Sequence, residues 1–235
     1  MTDEEYLENL SNVEIYTEIL LGILRYTNVK KCNSNEEYLK KLNKKLKFQN
    51  LYDYDLFRAC IDQIEDAQYA INEVLENGLA MKDSNIGEMY LRLYGVLNAC
   101  YLQIGSVIDL LRLFNFTNQK EIRHDLKKIK IIEIRHKIAS HTTNYEDNNR
   151  RFSYFKVAQS SLNKSATSIL IVGKNDDEIE EFNLITLLNE FTEKIEFYLD
   201  AIVDKELYSR IFRKDLFEWM QYRHDFIKRQ KAQMV

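Results

Sequence analysis

The spacing of hydrophobic residues is helical over most of the chain. Apolar side chains recur three and four residues apart, which predicts a first helix from about Asp3 to Tyr26 and another from about Tyr54 to Glu76. Between them, the lysine-rich stretch EEYLKKLNKKLKFQN is interpreted as a charged helix exposed to solvent. The N-terminal part of the chain is therefore predicted to be helical.

The most regular helical pattern begins after Ser84 or Asn85, either of which can serve as the N-cap, and continues to Phe114. It predicts a long central helix that packs against the others. Small residues such as Gly95 and Ala99 leave patches on this helix where another helix, or a second copy of the chain, can approach closely.

A further helix is predicted from Gln119 to about Ser140, and its second half has the sequence IIEIRHKIASH. On a helix with about 3.6 residues per turn, the isoleucines of this stretch share one face, and Arg135 falls near the middle of that face. Arginine keeps its charge and is rarely buried without a partner. We therefore expect Arg135 to meet either an internal carboxylate or an anionic group across an interface, and His141 follows where the helix ends.

The pattern of apolar residues changes after this helix. The runs RFSYFKVAQ and TSILIVGK are aromatic and β-branched, which predicts a β-hairpin around residues 151–174. Two amphipathic helices are then predicted within residues 182–231, the last one from about Lys205 to Lys231. Arg223 and His224 of this last helix are interpreted as a polar pair on the surface.

The composition supports the same fold class. The chain has no proline and only six glycines, so the residues that interrupt helices are rare. We predict a mainly α protein, a multi-helix up-down bundle with a small β-hairpin insertion. No linker or internal repeat divides the sequence, which favours a single helical domain over residues 1–235, with a core at about 54–145 and C-terminal helices at 182–231.

Several classes of protein are disfavoured by the same sequence. It begins Met-Thr-Asp-Glu-Glu and has no apolar run of about 20 residues, so we expect a cytoplasmic protein with no membrane partner. Cys32, Cys60 and Cys100 lack the spacing of a disulfide framework or a zinc site, and the last two are expected in the core. There is no glycine-rich phosphate loop and no metal-ligand motif, so we predict no cofactor and no metal.

Positive charge is concentrated in one segment of this acidic protein. The whole chain has a formal net charge of -4, but residues 120–137 contain seven Lys or Arg against three acidic residues. A local basic patch is typical of phosphate binding, and Arg123, Lys128 and Lys137 are the candidate phosphate-binding residues. A solvated helix face is the alternative interpretation, and it suits the lysines better than it suits Arg135.

The arginine and histidine of this segment resemble the motif of the HEPN superfamily. These small helical domains are found in prokaryotic toxin–antitoxin, phage-defence and RNA-processing systems. In their motif an arginine is followed by a polar residue and, a few residues later, by a histidine near the end of a helix. Arg135, His136 and His141 match these positions, and the helix that ends at Phe114 is similar to the family's long partner helix.

The resemblance implies metal-independent cleavage of RNA at the interface of two HEPN domains. RNA supplies its own 2′-hydroxyl as the nucleophile, so the protein needs only a base, an acid and a cation near the phosphate. His141 would be the base or acid, Arg135 would hold phosphate oxygens, and His136 would orient a phosphate or His141. Because the chain has one such motif, a homodimer would be needed to assemble the composite site.

The resemblance also implies partners. RNA is the expected substrate, and an antitoxin protein is the expected partner in a bacterial toxin–antitoxin or phage-defence system. Some family members are regulated by an antitoxin that modifies a tyrosine two residues after the motif histidine. In this chain that position is Thr143, which departs from the pattern.

Two alternatives stand beside the ribonuclease hypothesis. In the first, the chain is a non-catalytic helical interaction module in which a buried carboxylate such as Asp109 or Glu88 holds Arg135. In the second, the basic segment from Lys120 to Lys137 binds RNA or a nucleotide without cleaving it. An ion pair between Arg135 and a carboxylate of the same chain would favour the first alternative.

Overall fold

The computed structural model describes residues 2–25, 32–82, 85–140, 145–146, 152–173 and 178–233. Most of these residues are helical, and a small antiparallel sheet lies within the sequence, which confirms the predicted mainly α class with a small β insertion. Contacts divide the chain into two compact units, and the single-domain organisation stays a prediction. Unit 1 comprises Met1–Glu65, Gly105–Gln119 and Ile195–Val235, and unit 2 comprises Asp66–Ile104 and Lys120–Lys194.

The elements of unit 1 are helices. Helix α2 (Asn12–Arg25) packs against helix α9 (Lys214–Gln233) at Gly22, where a Cβ atom would lie 2.9 Å from both the Met220 sulfur and the Trp219 ring. Glycine therefore permits the close approach of these two helices. The helices that contribute to unit 1 are α1 (Asp3–Leu7), α2 (Asn12–Arg25), α3 (Asn35–Leu46), the first half of α4 (Asp53–Asn77), the last turns of α5 (Ile86–Leu113), the second half of α8 (Leu184–Ser209) and α9 (Lys214–Gln233).

Helix α3 confirms the lysine-rich helix that the sequence predicts. Ser34 caps its N-terminus by accepting a hydrogen bond from the Glu37 N–H at 3.1 Å. On its exposed face, Lys40 pairs with Glu36 and Lys41 pairs with Glu37, each at 2.6 Å and each four residues apart. The leucines of the opposite face are buried.

Two predicted helix boundaries in unit 1 are wrong. The single helix expected from Asp3 to Tyr26 is two helices, because Ser11 and Glu14 form a reciprocal cap that begins α2 after a break. The last helix does not begin at Lys205, because α8 continues to Ser209. Arg210 follows it and donates hydrogen bonds to the main-chain carbonyls of Lys45 and Leu46 at 3.1 and 2.9 Å.

Arg223 and His224 are buried, so their interpretation as a surface pair is wrong. The Arg223 guanidinium is paired with Glu18 at 2.7 Å, and His224 donates from Nε2 to Asp200 at 2.8 Å. The Tyr16 hydroxyl donates to the same Asp200 oxygen at 2.9 Å. The hydrogen bond from His224 lowers the pKa of Asp200, and burial beside this carboxylate raises the pKa of Tyr16.

Unit 2 combines helices with the sheet. Asn85 caps α5 by accepting a hydrogen bond from the Glu88 N–H at 3.1 Å, whereas Ser84, the other predicted cap, lies outside the described residues. Buried apolar side chains of α5 include Leu93, Val96 and Leu97. The helical elements of unit 2 are the second half of α4, most of α5, α6 (Gln119–Lys127), α7 (Lys130–Arg135), a π-helical turn (His136–Ser140), a short 3-10 helix (Gln159–Ser161) and the first turns of α8.

The sheet contains the predicted hairpin and one more strand. Strands β3 (Lys156–Val157), β4 (Ile169–Val172) and β5 (Ile179–Phe182) are antiparallel in the order β3-β4-β5, with Ile171 opposite Glu180. The sequence prediction missed β5, because its sequence IEEF has two charged residues at its centre and little apolar alternation. Two shorter strands, β1 (Tyr145–Glu146) and β2 (Phe152–Ser153), form a separate pair.

Helix α5 is long and apolar enough to cross a membrane by length and composition alone. Within the described chain it is the one helix with this property, and 67% of its most apolar window is buried inside the protein. The core helix of a soluble protein has the same property, so this helix is weak evidence for a membrane span.

The turn after α4 requires glycine at position 78. Gly78 has φ of +69°, and a Cβ atom there would lie 2.0 Å from the Lys164 carbonyl oxygen. We expect Gly78→Ala to lower the free energy of unfolding by about 1–3 kcal/mol. Urea unfolding measures the change, with Gly87→Ala as a control, because the nearest atom to a Cβ at Gly87 is 3.8 Å away. Equal stability of the two variants would contradict the prediction.

Candidate functional site

Helix α6 presents a basic face to solvent. Its Leu126 side chain is fully buried, whereas His124, Lys127 and Lys128 are exposed. These three residues are spaced three and four apart, which places them on one side of the helix and of the turn that ends it. The turn is closed by the Lys128 N–H, which donates to the His124 carbonyl oxygen at 3.2 Å.

The sequence predicts one continuous helix from Gln119 to about Ser140. This prediction is wrong, because the helix is interrupted. Ile129 has an extended conformation, with φ of -57° and ψ of 133°, and α7 begins after it at Lys130. The break allows a change of direction that a continuous helix could not make. The isoleucines that the sequence placed on the apolar face are buried as expected, at Ile131, Ile132, Ile134 and Ile138.

The π-helical turn at His136–Ser140 follows α7 directly, and π-helical turns are frequent at functional sites. It places Lys137 in the interior, where the residue is only 9% exposed. The Lys137 ammonium pairs with Glu133 and Glu180, each at 2.6 Å, and Lys130 pairs with the same two carboxylates at 3.1 and 2.5 Å. We call these four residues the Lys/Glu cluster; it joins α7 and the π-helical turn to strand β5.

The protonation of the Lys/Glu cluster is set by its internal hydrogen bonds. Burial alone would lower the pKa of Lys137, but the hydrogen bonds to Glu133 and Glu180 reverse this effect and leave its pKa raised. Burial alone would raise the pKa of both glutamates, but the lysine hydrogen bonds leave them lowered. All four groups are therefore charged at neutral pH, and the cluster is neutral overall.

Arg135 lies at the end of α7 against α5. Its guanidinium carbon is 4.1 Å from the centre of the Tyr101 ring, and its Nη2 is 3.4 Å from the Asn98 side-chain oxygen. The side chain is half-buried, and its Nε is buried without a hydrogen-bond partner among the described residues. Arg135 is therefore at the edge of the apolar face, with part of its guanidinium still accessible.

His136 is in contact with the Arg135 guanidinium. Nη1 of Arg135 is 3.3 Å from Nδ1 of His136, and a guanidinium can only donate hydrogen bonds. Nδ1 is therefore the acceptor in this contact. The Tyr101 ring meets the His136 ring edge to face, with the centroids 5.9 Å apart.

The carboxylates proposed to hold Arg135 are engaged elsewhere. Asp109 pairs with Arg112 at 3.5 Å, and Glu88 pairs with Arg92 at 2.9 Å. Within the described parts of the chain, Arg135 is in no ion pair with a carboxylate. The contact that would favour a non-catalytic interaction module is thus missing among these residues.

A cleft of about 620 Å³ opens beside these groups in unit 2. It has an aromatic part, formed by the half-buried Tyr145 and the buried Phe155, whose ring centroids are 5.3 Å apart. The rest of its wall is polar and mostly basic. It is lined there by His124, Lys127, Lys128, Glu133, His136 and Lys137.

The structure brings some of the predicted site residues together. Lys128, Lys137 and His136 line the cleft, although the charge of Lys137 is balanced by Glu133 and Glu180. Arg123 is exposed on α6 and does not line the cleft. His141, the predicted base or acid, and Thr143 lie outside the described residues.

Five residues that line the cleft were not predicted from the sequence as site residues, namely His124, Lys127, Glu133, Tyr145 and Phe155. For His124 and Lys127 the spacing was a usable signal, because His124 is three residues from Lys127 and four from Lys128, and residues three and four apart share a helix face. Neither was among the predicted phosphate-binding residues, which were Arg123, Lys128 and Lys137. In the described chain, no group of three His, Cys, Asp or Glu side chains is placed to hold a metal ion.

The chain matched no protein-family model, no curated protein and no solved structure when it was compared with them. Membership of the HEPN superfamily therefore stays a prediction based on the residues of its motif.

The Lys/Glu cluster makes the stability of the protein sensitive to acid. The pKa values of Glu133 and Glu180 are lowered from 4.5 in the folded state, so the stabilisation is complete above that pH and is lost as the pH falls through the lowered values. We expect Glu180→Gln to cost about 1–3 kcal/mol of unfolding free energy at pH 7 and to flatten the decline below pH 5.

Urea unfolding between about pH 7 and pH 3 measures this effect. Glu190→Gln is the matched control, because Glu190 is an exposed carboxylate of α8. Identical pH profiles for the two variants would show that the cluster contributes nothing to acid stability.

Proposed function

We propose that the protein is a HEPN-like, metal-independent endoribonuclease of a bacterial toxin–antitoxin or phage-defence system, and that it acts as a homodimer. The observation that carries the proposal is the state of Arg135. Its guanidinium is half-buried and contacts a tyrosine, an asparagine and a histidine, and no carboxylate of the described residues pairs with it. Its positive charge therefore remains available for a phosphate group.

The proposed reaction is an internal transesterification of RNA. A base removes the proton from a 2′-hydroxyl, the oxygen attacks phosphorus, and an acid protonates the 5′-oxygen that leaves. Arg135 would stabilise the negative charge that develops on the phosphate oxygens. His136 would orient a phosphate or His141, and His141 would transfer a proton; both roles come from the HEPN resemblance.

A stripe on α5 supports the proposed dimer. Tyr101 and Asn98, which contact Arg135, continue into a row of exposed residues that includes Leu91, which is 74% exposed. A second copy of the chain that covered this row would bury apolar surface and bring Arg135 to the interface. The residues of the row are Leu91, Tyr94, Gly95, Asn98, Tyr101 and Leu102.

Binding of RNA without cleavage is the second candidate function. It is favoured by Lys127 and Lys128, which are exposed on the cleft and belong to no ion pair within the described chain. Such lysines bind phosphates without taking part in proton transfer. The two functions differ in whether RNA is converted to shorter products.

The ribonuclease hypothesis predicts that RNA is cleaved in the presence of EDTA. Arg135→Ala and His141→Ala should each reduce the rate by at least about a hundredfold, because the first removes a cation that stabilises the developing charge and the second removes a group that transfers a proton. Gel analysis of a labelled RNA measures the rate. Arg213→Ala, which removes an 80% exposed arginine of unit 1, is the control. Equal rates for all four proteins would refute the assigned site, and RNA binding without products would favour the second function.

The proposed dimer can be tested at Gly95. A Cβ atom at this position would have no atom within 4 Å, so a large side chain fits in the monomer. We expect Gly95→Arg to fold, to elute as a monomer, and to lose RNA cleavage. Light scattering after gel filtration gives the mass, and circular dichroism checks the fold. A wild-type protein that is monomeric, or a variant that remains dimeric, would exclude this row as the interface.

A further inference from the structure

The cleft of unit 2 pairs a basic wall with an aromatic wall. The aromatic wall is formed by Tyr145 and Phe155, and the Lys137 ammonium lies 5.1 Å from the centre of the Phe155 ring. Phe155 is almost completely covered, whereas Tyr145 is half-buried and lines the cleft. A half-covered tyrosine beside a cleft is suited to stack against a planar group.

The basic wall is formed by α6. Lys127 and Lys128 are exposed there, and no carboxylate of the described residues pairs with either lysine. Among the described residues, Glu133 is the one acidic residue that lines the cleft, and its oxygens are bound by Lys130 at 3.1 Å and Lys137 at 2.6 Å. No described carboxylate therefore balances the charge of Lys127 and Lys128, and His124 adds a further hydrogen-bond donor or acceptor to this wall.

We propose that this cleft binds an unpaired nucleotide of single-stranded RNA, with a phosphate on Lys127 and Lys128 and the base against Tyr145. The proposal rests on the proposed function in taking RNA as the ligand. A volume of about 620 Å³ is sufficient for a nucleotide. A base within a duplex has neighbours on both faces, so it cannot stack on a side chain until it is unpaired.

The decisive experiment replaces Lys127 and Lys128. The probe is a fluorescein-labelled decamer of 2′-O-methyl RNA without self-complementarity, which has no free 2′-hydroxyl and cannot be cleaved. Fluorescence anisotropy in EDTA, at about 50 to 200 mM KCl, should show binding about tenfold weaker for Lys127→Ala/Lys128→Ala than for the wild type. The magnitude of the salt slope should fall by about 1–1.5, as expected for the loss of two phosphate contacts to a single strand.

A matched control removes the same two charges elsewhere. Lys44→Ala/Lys45→Ala replaces two neighbouring exposed lysines of α3 in unit 1 and should change binding by less than about twofold. Equal weakening by the two double variants would overturn the proposal, because it would show a general charge effect. The lysines are exposed in both variants, so both should fold.

Two further measurements test the aromatic wall and the preference of the cleft for single-stranded over duplex RNA. Tyr145→Ala should weaken binding of the decamer about fivefold or more, whereas Tyr145→Phe, which keeps the ring, should bind as the wild type does. The decamer annealed to its complement should bind about tenfold more weakly than the single strand. A duplex that binds as tightly as the single strand would overturn the assignment to unpaired RNA.

Failure of this proposal can be told apart from failure of the proposed function. If unmodified RNA is cleaved but the decamer binds equally to the wild type and to Lys127→Ala/Lys128→Ala, the cleft proposal alone is wrong. If the decamer binds through the lysines but unmodified RNA is never cleaved, the cleft is a binding site and the ribonuclease proposal is wrong.

Discussion

The Lys/Glu cluster is the interaction on which the candidate site depends. It consists of Lys130, Glu133, Lys137 and Glu180, and every oxygen-to-nitrogen distance within it is 3.1 Å or less. A buried ammonium is costly unless carboxylates compensate it, so Lys137 can be internal because Glu133 of α7 and Glu180 of β5 both pair with it. The cluster thereby fixes the π-helical turn against the sheet and leaves Arg135 directed toward α5.

Among the described residues, Arg135 differs from three other arginines that are largely enclosed. Arg92 is paired with Glu88, Arg210 with Glu206, and Arg223 with Glu18. A carboxylate neutralises each of these guanidinium groups, which connect helices or cap helix ends. Arg135 instead lies on the Tyr101 ring and donates to Nδ1 of His136. Such a guanidinium keeps its affinity for an anion, which is the physical reason for placing a phosphate there.

The sequence predicted the helices well where their signal is local. The spacing of apolar residues located α4 and α5 to within a residue or two, and it identified the isoleucines that α7 buries. The prediction failed where side chains close in sequence cap a helix, as Ser11 and Glu14 do at the start of α2. It also failed at Ile129, where a helix is interrupted without a proline or glycine. It also failed for His224, because Asp200, the partner that makes its burial tolerable, is on another helix.

For the site, the sequence by itself determined that positive charge collects between residues 120 and 137 and that an arginine lies among isoleucines. Only the tertiary structure decided which of these charges remain unbalanced. Lys137 and Lys128 are both lysines of this basic segment. Lys137 pairs with Glu180, which is 43 residues away in the sequence, whereas Lys128 stays exposed on the cleft. Periodicity reports which face of a helix is covered, but the balance of charge is set by side chains that folding brings together across the sequence.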